Sequence, residues 1–471
     1  MTAARRIARN ALALAGSHGV TMTLNFVAWA HLAQTLAPEG FGVLGFGTAL
    51  LAYFSVIVQL GFDAVAVREG ARDPARVPEL AGTVTALRLL LSLVSILAYA
   101  ALVWALPRPP EMRLALLVQG VSLVALATRL GWVFQAIEKM EALAARDVAT
   151  AVLNAAAVLV LVRRPDQIVL AAALTACVPL VGNAWLWVAY HRVFGRLRLR
   201  ANRAAWMALL RPALPLAASA FLIEIYLRLD QVMLEFLYST ASVGLYSAAV
   251  RLVIIAQVPG LIAYGAYFPT LAAAHGDMDR MRASGRTMAR VLIAIGLAVA
   301  VAGPWLAADA LAFAFGDAYT SAAPALAVLL VNVGVVYVNM TVGTPLMAWD
   351  LQKPYMWAVL GGALVNVALN VVLIPPYGLV GAAVATLASE TTVCLGLCRL
   401  YYRATGELPF RSAGHAALVA VAATVPAALG ATLGWHILIS VGLSGTAAAA
   451  AAWRLGIVDL AVFRRSASPV P

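Results

Sequence analysis

GTVTALRLLLSLVSILAYAALVWAL, residues 82–106, is an almost unbroken apolar run carrying one charge, Arg88. At a rise of about 1.5 Å per residue such a run, wound as a helix, crosses the roughly 30 Å hydrocarbon core of a bilayer. Hydrocarbon offers backbone N–H and C=O groups no partner, so a stretch of this kind has to be helical. Comparable stretches extend outward from Ala11 to Trp453. They fall near 11–36, 41–67, 82–106, 114–137, 147–162, 167–190 and 209–237, and again near 241–270, 289–308, 322–349, 355–374, 378–402, 414–434 and 436–453. The chain therefore reads as an all-α polytopic membrane protein with about 14 transmembrane helices, twelve being the alternative count; the basic pair Arg163 and Arg164 breaks the pattern after the fifth span.

Composition agrees. The 471 residues are 63% hydrophobic and only 11% charged, with a mean hydropathy of +0.90, against the roughly 25% charged residues of a soluble domain. The net charge of +12 does not point to nucleic acid, because its placement follows the membrane. About 25 of the 33 basic residues lie in alternate joints, including Arg68, Arg72 and Arg76, Arg192 through Arg211, Arg280 through Arg290, and Arg454 through Arg465. About four (Arg108, Arg113, Arg163, Arg164) lie in the others. A Lys/Arg excess in short loops marks the cytoplasmic side, so both termini are expected in the cytoplasm of a cell inner membrane. The start has the basic and apolar character of a signal peptide, but its apolar pattern runs on to Leu36, which favours a retained first helix. Cys177, Cys394 and Cys398 all fall in spans, leaving neither a disulfide framework nor a zinc pattern.

The longest basic joint, His191 to Arg211, divides the spans. An N-terminal six-helix lobe at 1–190, a cytoplasmic basic linker at 191–208, a second six-helix lobe at 209–403 and two further helices with a tail at 404–471 follow. Phe41-Gly42-Val43-Leu44 and Val243-Gly244-Leu245-Tyr246 occupy the same corner of each half, which implies a parallel repeat of two lobes about an axis along the membrane normal, with a central cavity.

Three stretches carry a family resemblance: Pro38-Glu39-Gly40-Phe41-Gly42; Arg228-Leu229-Asp230 with Val243 through Ala249; and Asn366 through Ala383, NVALNVVLIPPYGLVGAA. They resemble the polysaccharide flippases, the O-antigen and exopolysaccharide translocases of the multidrug/oligosaccharidyl-lipid/polysaccharide exporter superfamily. The resemblance implies two six-helix lobes cycling between inward-open and outward-open states. It also implies a polyprenyl-diphosphate-linked oligosaccharide as cargo during surface polysaccharide biosynthesis, with polymerase and chain-length machinery as expected partners.

Charges inside spans cost at least about 2.5–3.5 kcal/mol each on insertion scales and so need partners or water. Glu224, Arg228, Gln231 and Glu235 share one helix face at spacings of four, three and four. Glu224 and Arg228 are either an internal pair or, with Arg228 turned to a cavity, a diphosphate site, since the guanidinium fork matches phosphate oxygens. Helical depth pairs Asp230 with Arg251 and Asp63 with Arg88 as structural ion pairs. Arg129 has no partner in sequence and is either a cavity cation or a snorkelling side chain. His18, Thr21, Asn25 and Trp29 form a polar stripe suited to sugar hydroxyls or to helix packing. Asn332 with Asn339 and Asn366 with Asn370 pose the same choice. Glu390, midway along a span, is the candidate for coupling to H+ or Na+, with Glu224 second. Prolines such as Pro259 mark candidate bends.

Lys139 and Lys353 do not follow a P-loop spacing, so ATP-driven pumping by this chain alone is not expected, and neither is a cofactor or metal. A membrane-embedded glycosyltransferase is the enzymatic rival, on the strength of Asp277-Met278-Asp279 alone. That motif sits among arginines and reads as a solvated turn, and a non-enzymatic transporter is expected. A cation-coupled multidrug antiporter of the same superfamily is the other rival. Its cationic cargo would call for carboxylates without cations beside them, whereas deep in the spans lie four arginines, Arg88, Arg129, Arg228 and Arg251, against five acids.

Overall fold

The computed structural model describes residues 3–411 and 413–457. Arg464 and Arg465 of the basic tail, and the side chains of Arg5, Arg6 and Arg9, lie outside the described residues. Helices account for the fold, and no strand occurs among the described residues. The chain forms two compact units, Met1–Glu235 and Phe236–Pro471.

The first unit holds α1 (Ala3–Gln59), α2 (Phe62–Arg72), α3 (Val77–Ala105), α4 (Pro110–Gln119), α5 (Ser122–Ala127), α6 (Gly131–Ala136), α7 (Met140–Leu161), α8 (Ile168–Phe194) and nearly all of α9 (Arg203–Leu237). The second holds α10 (Thr240–Ala273), α11 (Met278–Phe315), α12 (Ala323–Ala348), α13 (Gln352–Thr405), α14 (Ala413–Leu433) and α15 (Ile437–Arg454). Among the described residues 11 helical segments are long and apolar enough to cross a membrane. Two of them, at 57 and 54 residues, are each long enough for two crossings. With α9 added, the total is compatible with fourteen spans, and the crossing before Arg163 is the 22-residue α7.

Each of the two long segments bends at a residue outside helical geometry. In α1 it is Ala37 (φ 57, ψ 174), immediately before Pro38. Proline cannot donate to the ladder and pushes its predecessor out of the α region. In α13 it is Gly378 (φ 53, ψ -129), just after Pro375 and Pro376. Glycine accepts that left-handed backbone without a Cβ penalty, and a Cβ there would lie 2.9 Å from the Tyr238 ring. The second span read as 41–67 stops earlier, at Gln59, where Leu60 and Gly61 both turn to positive φ. The chain then restarts as the short α2. The fourth span is likewise interrupted, as α4, α5 and α6.

Helix α3 is amphipathic in the sense opposite to that of a soluble helix. Arg88, Ser92, Ser95 and Tyr99, spaced four, three and four, are buried. Leu90, Leu93, Val94, Leu97 and Trp104 are exposed. Burying polar groups and presenting leucines outward is favourable only where the surrounding solvent is lipid. In the second unit α11 meets α12 through Gly296, Ala300 and Gly334; a Cβ on Gly334 would lie 2.7 Å from that of Ala300. The α11–α14 contact is built on Ala289, Ala302, Ala423 and Ala427. Small residues let membrane helices approach closely enough for dispersion to hold them.

Candidate functional site

A cavity of about 330 Å³ opens within the first unit, lined by Trp29, Thr48 and Ser55 of α1, Gln119 of α4, Ser122 of α5, Thr175 of α8 and Glu224 and Arg228 of α9, among others. Most of its hydroxyls are already committed. Thr48, Ser55 and Thr175 each donate to a carbonyl three or four residues back, at 2.7–3.1 Å. The charged feature is Arg228, whose Nε lies 3.4 Å from Glu224 Oε2. Gln119 is buried and donates to Leu44 O at 3.2 Å. Its Oε1 has no hydrogen-bond partner among the described residues. Trp29 is steadied by an edge contact with Phe41, ring centroids 5.9 Å apart. Gly47 is required here, because a Cβ would occupy the space of the Gln119 amide.

Of the residues singled out from sequence, Trp29, Glu224 and Arg228 line this cavity. His18 and Asn25 are exposed on α1 and, like Arg129, are not among the residues named for its wall. Glu235 shares the helical stripe of Arg228 but leaves the site: its carboxylate is buried 3.0 Å from Arg108 Nη2, and its backbone carbonyl accepts from the same nitrogen at 2.9 Å. Asp230 is buried on α9 and Arg251 half-buried on α10, in different units. Arg88 Nη2 lies 3.0 Å from Asp63 Oδ1.

Arg129 occupies the gap between α5 and α6. A helix broken inside a span leaves carbonyls without their usual N–H partners, which must be met by other groups. Asn183 Nδ2 donates to Ala125 O at 2.6 Å, Trp187 Nε1 to Thr128 O at 2.8 Å, and Arg88 Nη1 to Arg129 O at 3.5 Å. Arg146 Nη2 holds Asn183 Oδ1 at 2.7 Å. This network was not read from the sequence. Its only trace there is the four-residue spacing of Asn183 and Trp187, which says the two share a face but not what they face.

In the second unit Asn339 Nδ2 donates to both Glu390 Oε2 at 2.6 Å and Glu390 O at 3.2 Å, while Asn370 donates to Asn366 Oδ1 at 3.0 Å. Asp277 caps α11 by accepting from the Asp279 and Arg280 amides at 3.1 Å. No cluster of three His, Cys, Asp or Glu residues suited to a metal occurs among the described residues.

A family model described as "Polysaccharide biosynthesis protein" matches residues 7–275. "Probable flippase AglR" of Haloferax volcanii is 32% identical over 209 residues, 41% of this chain, and the chain spans 43% of the length of that curated relative. Among solved structures, "Lipid II flippase MurJ, inward closed conformation" is similar with a TM-score of 0.66 at 14% identity, covering 94% of this chain and 99% of that one. An inward-facing multidrug resistance MATE family transporter of the MOP superfamily follows at a TM-score of 0.63 and 17% identity, covering 82% and 95%. At these identities the two likenesses describe the fold.

Proposed function

The chain belongs to the polysaccharide biosynthesis protein family, and from that premise we propose that it flips a polyprenyl-diphosphate-linked oligosaccharide from the cytoplasmic to the outer leaflet by alternating access. The observation that carries this reading is the cavity lined by both Arg228 and Trp29. Its charge pair is loose: 3.4 Å apart, with side chains 37% and 29% exposed for Arg228 and Glu224. An ion pair that exposed contributes about 0–1 kcal/mol. A bidentate guanidinium–phosphate contact is stronger, so a diphosphate can displace Glu224 from Arg228 at little cost. The Trp29 indole supplies an apolar face for a sugar ring.

In this reading Arg129, His18 and Asn25 contact cargo outside that cavity, and Glu390 and Glu224 are the carboxylates through which an ion gradient acts. The multi-pass chain lies in the cytoplasmic membrane with both termini inside, and a polymerase takes over the delivered repeat units. Relatives named as flippases support this reading, including one at 32% identity. Deleting the gene tests it: lipid-linked repeat units should accumulate on the cytoplasmic leaflet. Unchanged lipid-linked glycan with heightened sensitivity to cationic drugs would select the multidrug antiporter instead.

A further inference from the structure

The joint between α8 and α9 carries Arg196-Leu197-Arg198-Leu199-Arg200, an arginine at every second position. The segment has no regular secondary structure, yet it is fixed to the start of α3. The Arg200 amide donates to Gly82 O at 3.3 Å. Leu197 packs on the apolar cluster of Val77, Leu80, Ala81 and Tyr190. The Arg198 carbonyl fills the space a Cβ on Gly82 would need.

Arg196, Arg198 and Arg200 line one cavity of about 460 Å³, walled also by Tyr190, Phe194 and Glu79. Glu79 pairs with Arg200 at 3.3 Å. Arg196 and Arg198 make no ion pair among the described residues. Leu199, between them and Arg200, is an exposed apolar side chain. The cavity lies where α3 begins and α8 ends, the helix ends that adjoin the basic joints Arg68 to Arg76 and Arg192 to Arg203.

We propose that this cavity binds the headgroup of an anionic phospholipid from the leaflet on the basic side of the membrane. Basic pockets at the cytoplasmic ends of spans recognise such headgroups. Arg196 and Arg198 take the phosphate oxygens, for which their planar forks are shaped. Phe194, half-buried in the cavity wall, packs against the glycerol and upper acyl region, where aromatic side chains are favoured. A soluble anion would use the guanidiniums but leave the Phe194 ring without a role. Occupancy ties the linker before α9 to the bilayer surface.

The test is native mass spectrometry of the full chain released from nanodiscs containing equal phosphatidylglycerol and phosphatidylcholine, with thermal melting in the presence of each lipid or of inorganic phosphate. Phosphatidylglycerol should be retained preferentially. Each arginine at an anionic surface is worth about five-fold in affinity, so Arg196→Gln with Arg198→Gln should cut retention on the order of 25-fold. Equal retention of the two lipids, or an unchanged double variant, overturns the proposal. So does stabilisation by inorganic phosphate equal to that by phosphatidylglycerol, which would assign the cavity to free anions.

Discussion

Arg88 on α3 and Asp63 on α2 form a pair 3.0 Å apart in which the guanidinium is 1% exposed and the carboxylate 37% exposed. The arginine is the member that depends on the pair. Its guanidinium also lies 6.0 Å over the Phe62 ring and reaches the carbonyl of Arg129, so one buried cation joins α2, α3 and the break after α5.

Removing the acid leaves a buried charge with one partner fewer, and such losses cost about 3–5 kcal/mol. Asp63→Asn should lower the melting temperature of the detergent-solubilised protein strongly. Adding Arg88→Met should recover much of the loss, because the isolated charge goes with it. Additive effects in that double-mutant cycle would show the two residues to be uncoupled.

Arg228→Ala removes the cavity's positive charge while breaking only a loose pair. The protein should remain inserted and abundant, with stability changed by less than about 1 kcal/mol, while surface polysaccharide disappears. Arg228→Lys should restore output in part, since it keeps the charge and loses the fork. Normal polymer from Arg228→Ala, scored by gel of surface glycan, would remove Arg228 from the transport path.

Gly47→Ala places a methyl group where the Gln119 amide sits. Overpacking of this kind costs about 1–3 kcal/mol, and the displaced amide should narrow the cavity. Lower transport together with a lower melting temperature is expected. Pairing with Gln119→Ala should relieve the melting defect, which a chance effect of the single change would not predict.

Glu390 carries the coupling proposal. Glu390→Gln keeps an oxygen that accepts from Asn339, whereas Glu390→Ala removes that side-chain hydrogen bond, a loss of about 0.5–1.5 kcal/mol. The glutamine variant should fold normally and lose its response to an imposed ion gradient in a liposome flipping assay. A glutamine variant with an unaltered response excludes this carboxylate from coupling.

The joint after α13 is pH-sensitive in one direction. Two hydrogen bonds from Arg286, at 2.7 and 2.6 Å, with Arg411 and Arg282 nearby, hold the Glu407 carboxyl below the ordinary carboxylate range. A depressed folded value means the contact stabilises fully above the unfolded carboxylate pKa of roughly 4.3 and is lost as pH falls through the folded value. Hydrogen exchange of residues 403–411 should be unchanged between pH 6 and 8 and quicken, after correction for intrinsic rates, only in acid. Arg286→Gln should move that onset to higher pH.

The helices were legible because lipid imposes a length and a composition on any crossing, and the stretch at 82–106 meets both. The bends at Ala37 and Gly378 fall at the joints read between the spans 11–36 and 41–67 and between 355–374 and 378–402, whereas α10 runs unbroken through Pro259, the proline read as a candidate bend. The pairing of Asp63 with Arg88 followed from depth along two neighbouring helices, a nearly one-dimensional quantity. The partner of Glu235 did not: helical phase put it on the Arg228 stripe, yet Arg108, 127 residues away, takes it.

What the sequence determined by itself was the membrane as solvent, the helical content and the inventory of charges that must find partners. Tertiary structure alone decided which partners they found. Asn183 and Trp187 meet the carbonyls at the α5–α6 break because α8 passes there, and no local pattern encodes that passage. Hydrophobic length is a property of consecutive residues, whereas satisfaction of a buried polar atom is a property of whatever the fold brings within about 3 Å of it.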